Sequence, residues 1–150
     1  MKLSSILLSA GLMLLAPLAS QAQNDSKYGE TEEQQLLCKE ALSVYKSYKK
    51  QKNYDEAYIQ WRKACEVCPE TASEGLYADG TSFIGKELKK VDAEDPRHAV
   101  LLDSLMYLHD KRMELYPSTT RNPNNRCVVL GRNATDFFKY NKDAHQEAFT

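Results

Sequence analysis

The residues from Cys38 to Pro69, CKEALSVYKSYKKQKNYDEAYIQWRKACEVCP, leave the chain few choices of fold. Apolar and small side chains recur there at intervals of three and four, which gathers them on one face of an α-helix instead of alternating them across a strand. In the first half they are Leu37, Ala41, Val44, Tyr45 and Tyr48, and in the second Tyr54, Ala57, Tyr58, Trp61, Ala64 and Cys65. Between them Lys49, Lys50 and Lys52 suit a last helical turn, where cations meet the negative end of the dipole. Asn53 can end the first helix or cap the second, and Pro69 stops the second, because proline disfavours helix in the residue before it. Ala57 and Ala64 allow two such helices to approach closely, while Trp61 and Tyr54 fill the space between them.

The same periodicity continues downstream. Thr31, followed by Glu33 and Gln34, supplies a cap and acidic first turn for the first helix. Ala72 to Val91 reads as one amphipathic helix with Leu76, Tyr77, Phe83, Ile84 and Leu88 on its apolar face. Gly75, Gly80 and Gly85 weaken that helix but permit close backbone contact. Asp92 to Pro96 makes a turn, and Asp95 or Pro96 opens a helix running to about Tyr116 with Val100, Leu101, Leu105, Leu108, Arg112 and Leu115. It closes on Glu114-Leu115-Tyr116-Pro117, an echo of Glu66-Val67-Cys68-Pro69. A Ser/Thr/Asn/Pro loop over 118–125 precedes another helix, Arg126 to Tyr140, and Asn141-Lys142-Asp143 turns into what reads as a sixth from Ala144. The expectation is an all-α chain of paired helices.

Within 38–69, Tyr48, Ala57, Trp61, Ala64 and Pro69 stand where a tetratricopeptide repeat has its aromatic, alanine, large aromatic, alanine and proline, in the right register. The stretch thus resembles that repeat, a helix–turn–helix unit of about 34 residues that stacks into solenoids. Ala41 and Tyr45 depart from the pattern, so the second helix matches better than the first. The resemblance implies an antiparallel helix-hairpin solenoid of about two and a half to three repeats over residues 34–150. Its lengthened second pair is similar to that of a group of exported bacterial tetratricopeptide proteins. Because the sequence stops one turn into the sixth helix, and a solenoid unit needs a neighbour to cover its apolar side, a truncated record of a longer chain is expected.

The N-terminus points to export. Lys2, the apolar run Ile6–Leu18 and the small residues at Ser20 and Ala22 fit a signal peptide over residues 1–22, too short for a membrane span. Residues 23–33 are polar and read as a flexible leader. The expected location is the periplasm or outer envelope of a bacterium, with no membrane span after cleavage. Removing 22 of the 150 residues takes away one basic side chain and leaves 19 against 21 acidic ones. That balance lacks the basic excess of a nucleic-acid binder.

No motif for catalysis stands out, and the chain is expected to be no enzyme, with no cofactor and no bound metal. Cys65-Glu66-Val67-Cys68 lacks the histidine that haem attachment needs next, and it sits at a helix end instead of the helix start of a redox pair. A zinc site with Cys38 and Cys127 lacks a second close pair. His98, His109 and His145 do not cluster with other ligands, and Asn133-Ala134-Thr135, a glycosylation acceptor, lies inside a helix. An antiparallel helix pair brings the start of its first helix beside the end of its second, so Cys38 can form a disulfide with Cys65 or Cys68.

The resemblance also implies a concave groove lined by first helices. In its register Lys39, Leu42, Lys46, Lys49 and Lys50, with Ser43, face that groove, and Tyr77 and Phe83, with Leu76 and Gly80, extend it as an aromatic patch. A lysine row there could hold an acidic or C-terminal carboxylate peptide, against the plainer reading of a solvated face. The function expected is binding of a protein or peptide; the alternatives are the helical domain of a longer envelope enzyme or assembly factor, and a small thiol-redox or metal protein. Nothing in the pattern sets the oligomeric state.

Overall fold

The computed structural model describes residues 26–141. A 3-10 turn at Ser26–Tyr28 leads into five helices: α1 Glu32–Lys50, α2 Tyr54–Val67, α3 Glu74–Leu88, α4 Pro96–Leu115 and α5 Asn125–Tyr140. Among the described residues there is no strand, and none of the helices is long and apolar enough to cross a membrane. The signal peptide read over 1–22 and the sixth helix read from Ala144 lie outside the described residues.

Local chemistry sets the boundaries. Thr31 caps α1 through a reciprocal capping box with Gln34, Asn53 caps α2, Ser73 caps α3, and Asp95 caps α4 with Pro96 in its first turn. Of the residues read as a leader over 23–33, those from Ser26 are described. From Ser26 the chain is folded onto α1, with Tyr28 against the edge of the core and Gly29 buried at φ 149°, a conformation that favours glycine. The Gly29 carbonyl accepts from Gln35 Nε2 at 3.1 Å, and Gln34 Oε1 accepts from the Glu30 amide at 2.9 Å.

Consecutive helices are antiparallel. Cys38, early in α1, is disulfide-bonded to Cys68, the residue just past α2, with Cα atoms 4.8 Å apart. Of the two pairings open to Cys38, the second is the one formed, and Cys65 remains a free thiol. Arg112 near the end of α4 meets Glu74 at the start of α3, and Asn125 at the start of α5 meets the Tyr116 carbonyl just past α4.

α3 is touched by each of the other four helices. Its three glycines, one every five residues, each face an aromatic ring from a different helix: Gly75 lies near Tyr45 of α1, Gly80 beneath Trp61 of α2, and Gly85 near Tyr140 of α5. At Gly80 the approach is closest, since a Cβ there would stand 2.4 Å from Trp61 Cζ2. Trp61 also donates its indole N–H to the Leu76 carbonyl at 2.7 Å and packs on Phe83 with ring centroids 5.9 Å apart. Leu76, Phe83, Ile84 and Leu88 complete one continuous core with Leu42, Ala57, Ala64, Leu105 and Leu108.

Polar groups tie the same helix to its neighbours. Lys49 of α1 pairs with Asp79, beside which the Tyr45 hydroxyl is buried. Burial first, and the Asp79 carboxylate second, raise the Tyr45 pKa, so the phenol stays neutral. At the other end Glu74 Oε1 accepts from Arg112 Nε at 3.0 Å, Arg112 Nη2 at 2.8 Å and Asn125 Nδ2 at 2.9 Å. Asn125 gives its second amide proton to the Tyr116 carbonyl at 2.8 Å. Three helix ends meet in this junction.

Gly80→Ala should therefore destabilise the protein by about 1–3 kcal/mol, because the ring it would strike is anchored by its own hydrogen bond. Gly131→Ala, where nothing lies within 4 Å of the added carbon, should instead stabilise by about 0.5–1 kcal/mol. Urea midpoints of the two variants check the contrast. Replacing Cys38 and Cys68 together should cost about 3–4 kcal/mol, the expectation for a crosslink spanning 30 residues, measured in the same way.

Candidate functional site

The residues expected to line a groove do not come together. Leu42 is 5% exposed, Tyr77 7% and Phe83 2%, so all three belong to the core. The reason is that α2 and α4 pack on α3: Phe83 is taken up by Trp61 and Tyr58, and Tyr77 by Tyr116. The lysine row is divided as well. Lys49 is committed to Asp79, and the Lys39 ammonium sits 5.4 Å from the centre of the Tyr28 ring. Lys39, Lys46 and Lys50 are the exposed lysines of the row, and the Lys46 ammonium lies 5.8 Å from the centre of the Tyr45 ring.

An open groove lies elsewhere, between α2 and α4 with α3 as its floor. Its volume is about 730 Å³. Tyr58, Trp61 and Cys65 form the α2 wall; Val100, Ser104 and Tyr107 form the α4 wall; Leu76 and Ile84 floor it. Tyr77 reaches this groove from below, so of the residues expected in a groove it and Leu76 line this opening. Its hydroxyl donates to the Glu70 carbonyl at 3.0 Å, and its ring packs on Tyr116 with centroids 6.1 Å apart. Burial, ahead of the Glu70 charge, raises its pKa.

The groove is apolar at its centre and charged at its rim, where Arg62, Glu66, Glu70 and Asp103 stand. Glu70 is held by Lys111 at 3.2 Å. Val100 is 66% exposed and Tyr107 53%, a large apolar display for helix positions seven residues apart. Helical spacing could have exposed this feature in the sequence: Val100, Leu101, Ser104, Tyr107 and Leu108 form one stripe, of which only Leu108 is buried in the core.

Cys65 lies on the groove wall, at the surface yet close enough to Tyr45 and Tyr77 to raise the pKa of both. The apolar wall, and after it Glu66, push its own thiol up to about 12. A thiol so poised is a poor nucleophile at neutral pH, and Cys68, its partner in the Cys-x-x-Cys motif, is consumed by Cys38. Among the described residues no three His, Cys, Asp or Glu side chains converge as a group able to hold a metal. His109 is buried with Nε2 2.9 Å from Asp136 Oδ2, which joins α4 to α5 away from the groove.

Comparison with protein-family models, with curated proteins and with solved structures found no match.

At pH 8, Cys65 should alkylate with iodoacetamide slower than a free thiol by a factor on the order of a thousand, in proportion to its thiolate fraction. The rate should still be rising at about pH 11. Quantifying the carbamidomethylated Cys65 peptide by mass spectrometry across pH checks both.

Proposed function

We propose that this chain is an exported protein-interaction module built as a tetratricopeptide-like solenoid, and that it receives a peptide or helical segment of a partner protein in the α2/α4 groove. The observation that carries the reading is the groove itself: about 730 Å³, apolar and aromatic inside, ionic at the rim, with Val100 and Tyr107 held out to solvent by a rigid helix. That size falls in the range of sites that enclose a ligand, about 300–1,000 Å³. Aromatic anchors on a fixed scaffold inside a charged border are the usual anatomy of a protein-binding hot spot.

The antiparallel helix pairs and the seat of Trp61 on α3 favour the repeat architecture. The Cys38–Cys68 disulfide favours an oxidising compartment, and with it export to the periplasm or outer envelope. The raised Cys65 thiol and the spent Cys68 weigh against a redox role. The partner surface is assigned to the α2/α4 side because the α1 lysines are divided between intramolecular contacts and isolated exposed positions.

Val100→Glu with Tyr107→Glu places two charges in the apolar opening and should lower recovery of a periplasmic partner by about tenfold or more in a quantitative pull-down. Lys46→Glu with Lys50→Glu should leave recovery unchanged. Loss of the partner in the lysine variant alone would move the site to α1 and overturn the assignment.

A further inference from the structure

The outer face of α5 carries another exposed apolar sector. Val129, Asp136 and Tyr140 turn towards the rest of the fold, with Val129 buried, Asp136 on His109, and the Tyr140 hydroxyl donating to the Gly85 carbonyl. On the opposite side Cys127, Val128, Leu130, Gly131, Ala134 and Thr135 are all exposed, and none carries a charge. The borders of that sector are basic on both sides: Arg126 on one, Arg132 and Lys139 on the other. The one acid of α5 is Asp136, which points away from it.

At its N-terminal end the sector runs into a pocket of about 490 Å³ that shares Val128 and Arg132 with it and adds Thr120 and Arg121 from the preceding loop. The pocket also contains Arg112 and Glu74, but these neutralise one another. Two guanidinium groups, Arg121 and Arg132, are left in a concave site with no carboxylate assigned to either among the described residues.

We propose that the outer face of α5 and the Arg121–Arg132 pocket form a second docking surface, for an amphipathic helix of a partner protein whose apolar stripe is bordered by Asp or Glu. Gly131, with nothing within 4 Å of its missing side chain, and Ala134 one turn later let a partner backbone approach closely. Val128 and Leu130 supply the apolar contact. Carboxylates bordering the incoming stripe meet Arg126, Arg132 and Lys139, and the one reaching the pocket is held between two arginines in bidentate fashion. The charge pattern selects against a second copy of this chain, since a two-fold contact along α5 would set these cations against their own kind. A membrane is disfavoured because four of those six residues are Cys, Gly, Ala and Thr, which leaves Val128, Leu130 and the neighbouring Phe138 as the large apolar side chains of the face.

The test uses a fluorescein-labelled synthetic helix with Leu and Ala at i, i+3, i+4 and i+7 spacing and Glu at the bordering positions, beside a counterpart with Lys at those positions. Fluorescence anisotropy should show the Glu helix binding at least about tenfold tighter than the Lys helix. Arg121→Glu with Arg132→Glu should reverse that preference, while far-UV circular dichroism and the thermal midpoint stay unchanged. Val100→Glu with Tyr107→Glu should leave binding of the Glu helix intact, which separates this surface from the α2/α4 groove. Equal binding of both helices, or no binding of either, overturns the proposal. So does capture of phosphatidylglycerol vesicles that the arginine reversal abolishes, which would make the face a lipid contact. Self-association lost on Leu130→Glu would make it an interface between copies, and displacement of the Glu helix by a synthetic 142–150 peptide would assign it to the chain's own segment.

Discussion

The seat of Trp61 on Gly80 is the contact on which the rest of this structure depends. An indole is the largest apolar side chain available, and it joins the first helix pair to the second only if the facing helix carries no side chain beneath it. Gly80 provides that gap, and the Leu76 carbonyl, one turn earlier on α3, takes the indole N–H. The ring is thereby fixed in place and orientation at once, which a purely apolar contact would not achieve. Tyr58 stacks on the ring at 5.8 Å between centroids, so the groove wall is braced by the same contact that holds the helix pairs together.

Two further constraints keep the assembly from fraying at its ends. The Cys38–Cys68 disulfide joins the first half of α1 to the residue just past α2. Glu74 collects Arg112 and Asn125 where α3, α4 and α5 meet, and Asn125 also satisfies the Tyr116 carbonyl just past α4. Both devices act at termini, while the glycine ladder of α3 acts along the middle. The walls on either side of the α2/α4 groove are therefore rigid, and the groove's shape follows from packing more than from its own lining.

Much of this fold was legible in the sequence because it is local. Thr31, Asn53 and Asp95 announce helix starts through side chains that reach only three residues, and Pro69 and Pro117 announce ends through their own rings. The possible partners of Cys38 were reduced to two by helix geometry. The choice between Cys65 and Cys68 was not, because three residues along a helix is less than one turn, and the outcome turns on where α2 stops. Cys68 leaves the helix in an extended conformation and Cys65 does not. Burial was not legible for a different reason. Tyr77 and Phe83 are as apolar and aromatic as any exposed anchor, and nothing in their spacing reveals that Tyr116 covers the one and Trp61 and Tyr58 the other.

What the sequence by itself determined is the set of helices, their caps and their apolar faces, since each depends on residues within a turn or two. It also carried the spacing of Gly75, Gly80 and Gly85, though not what they were for. The tertiary structure decided which apolar faces are used up and which are left over. Tyr77 and Phe83 were used by α3, whereas Val100 and Tyr107 on α4, and Val128 and Leu130 on α5, were left to solvent. The physical reason is that burial is a property of neighbours: a side chain's own chemistry sets the cost of exposing it, and only the arrangement of the other helices sets whether that cost is incurred.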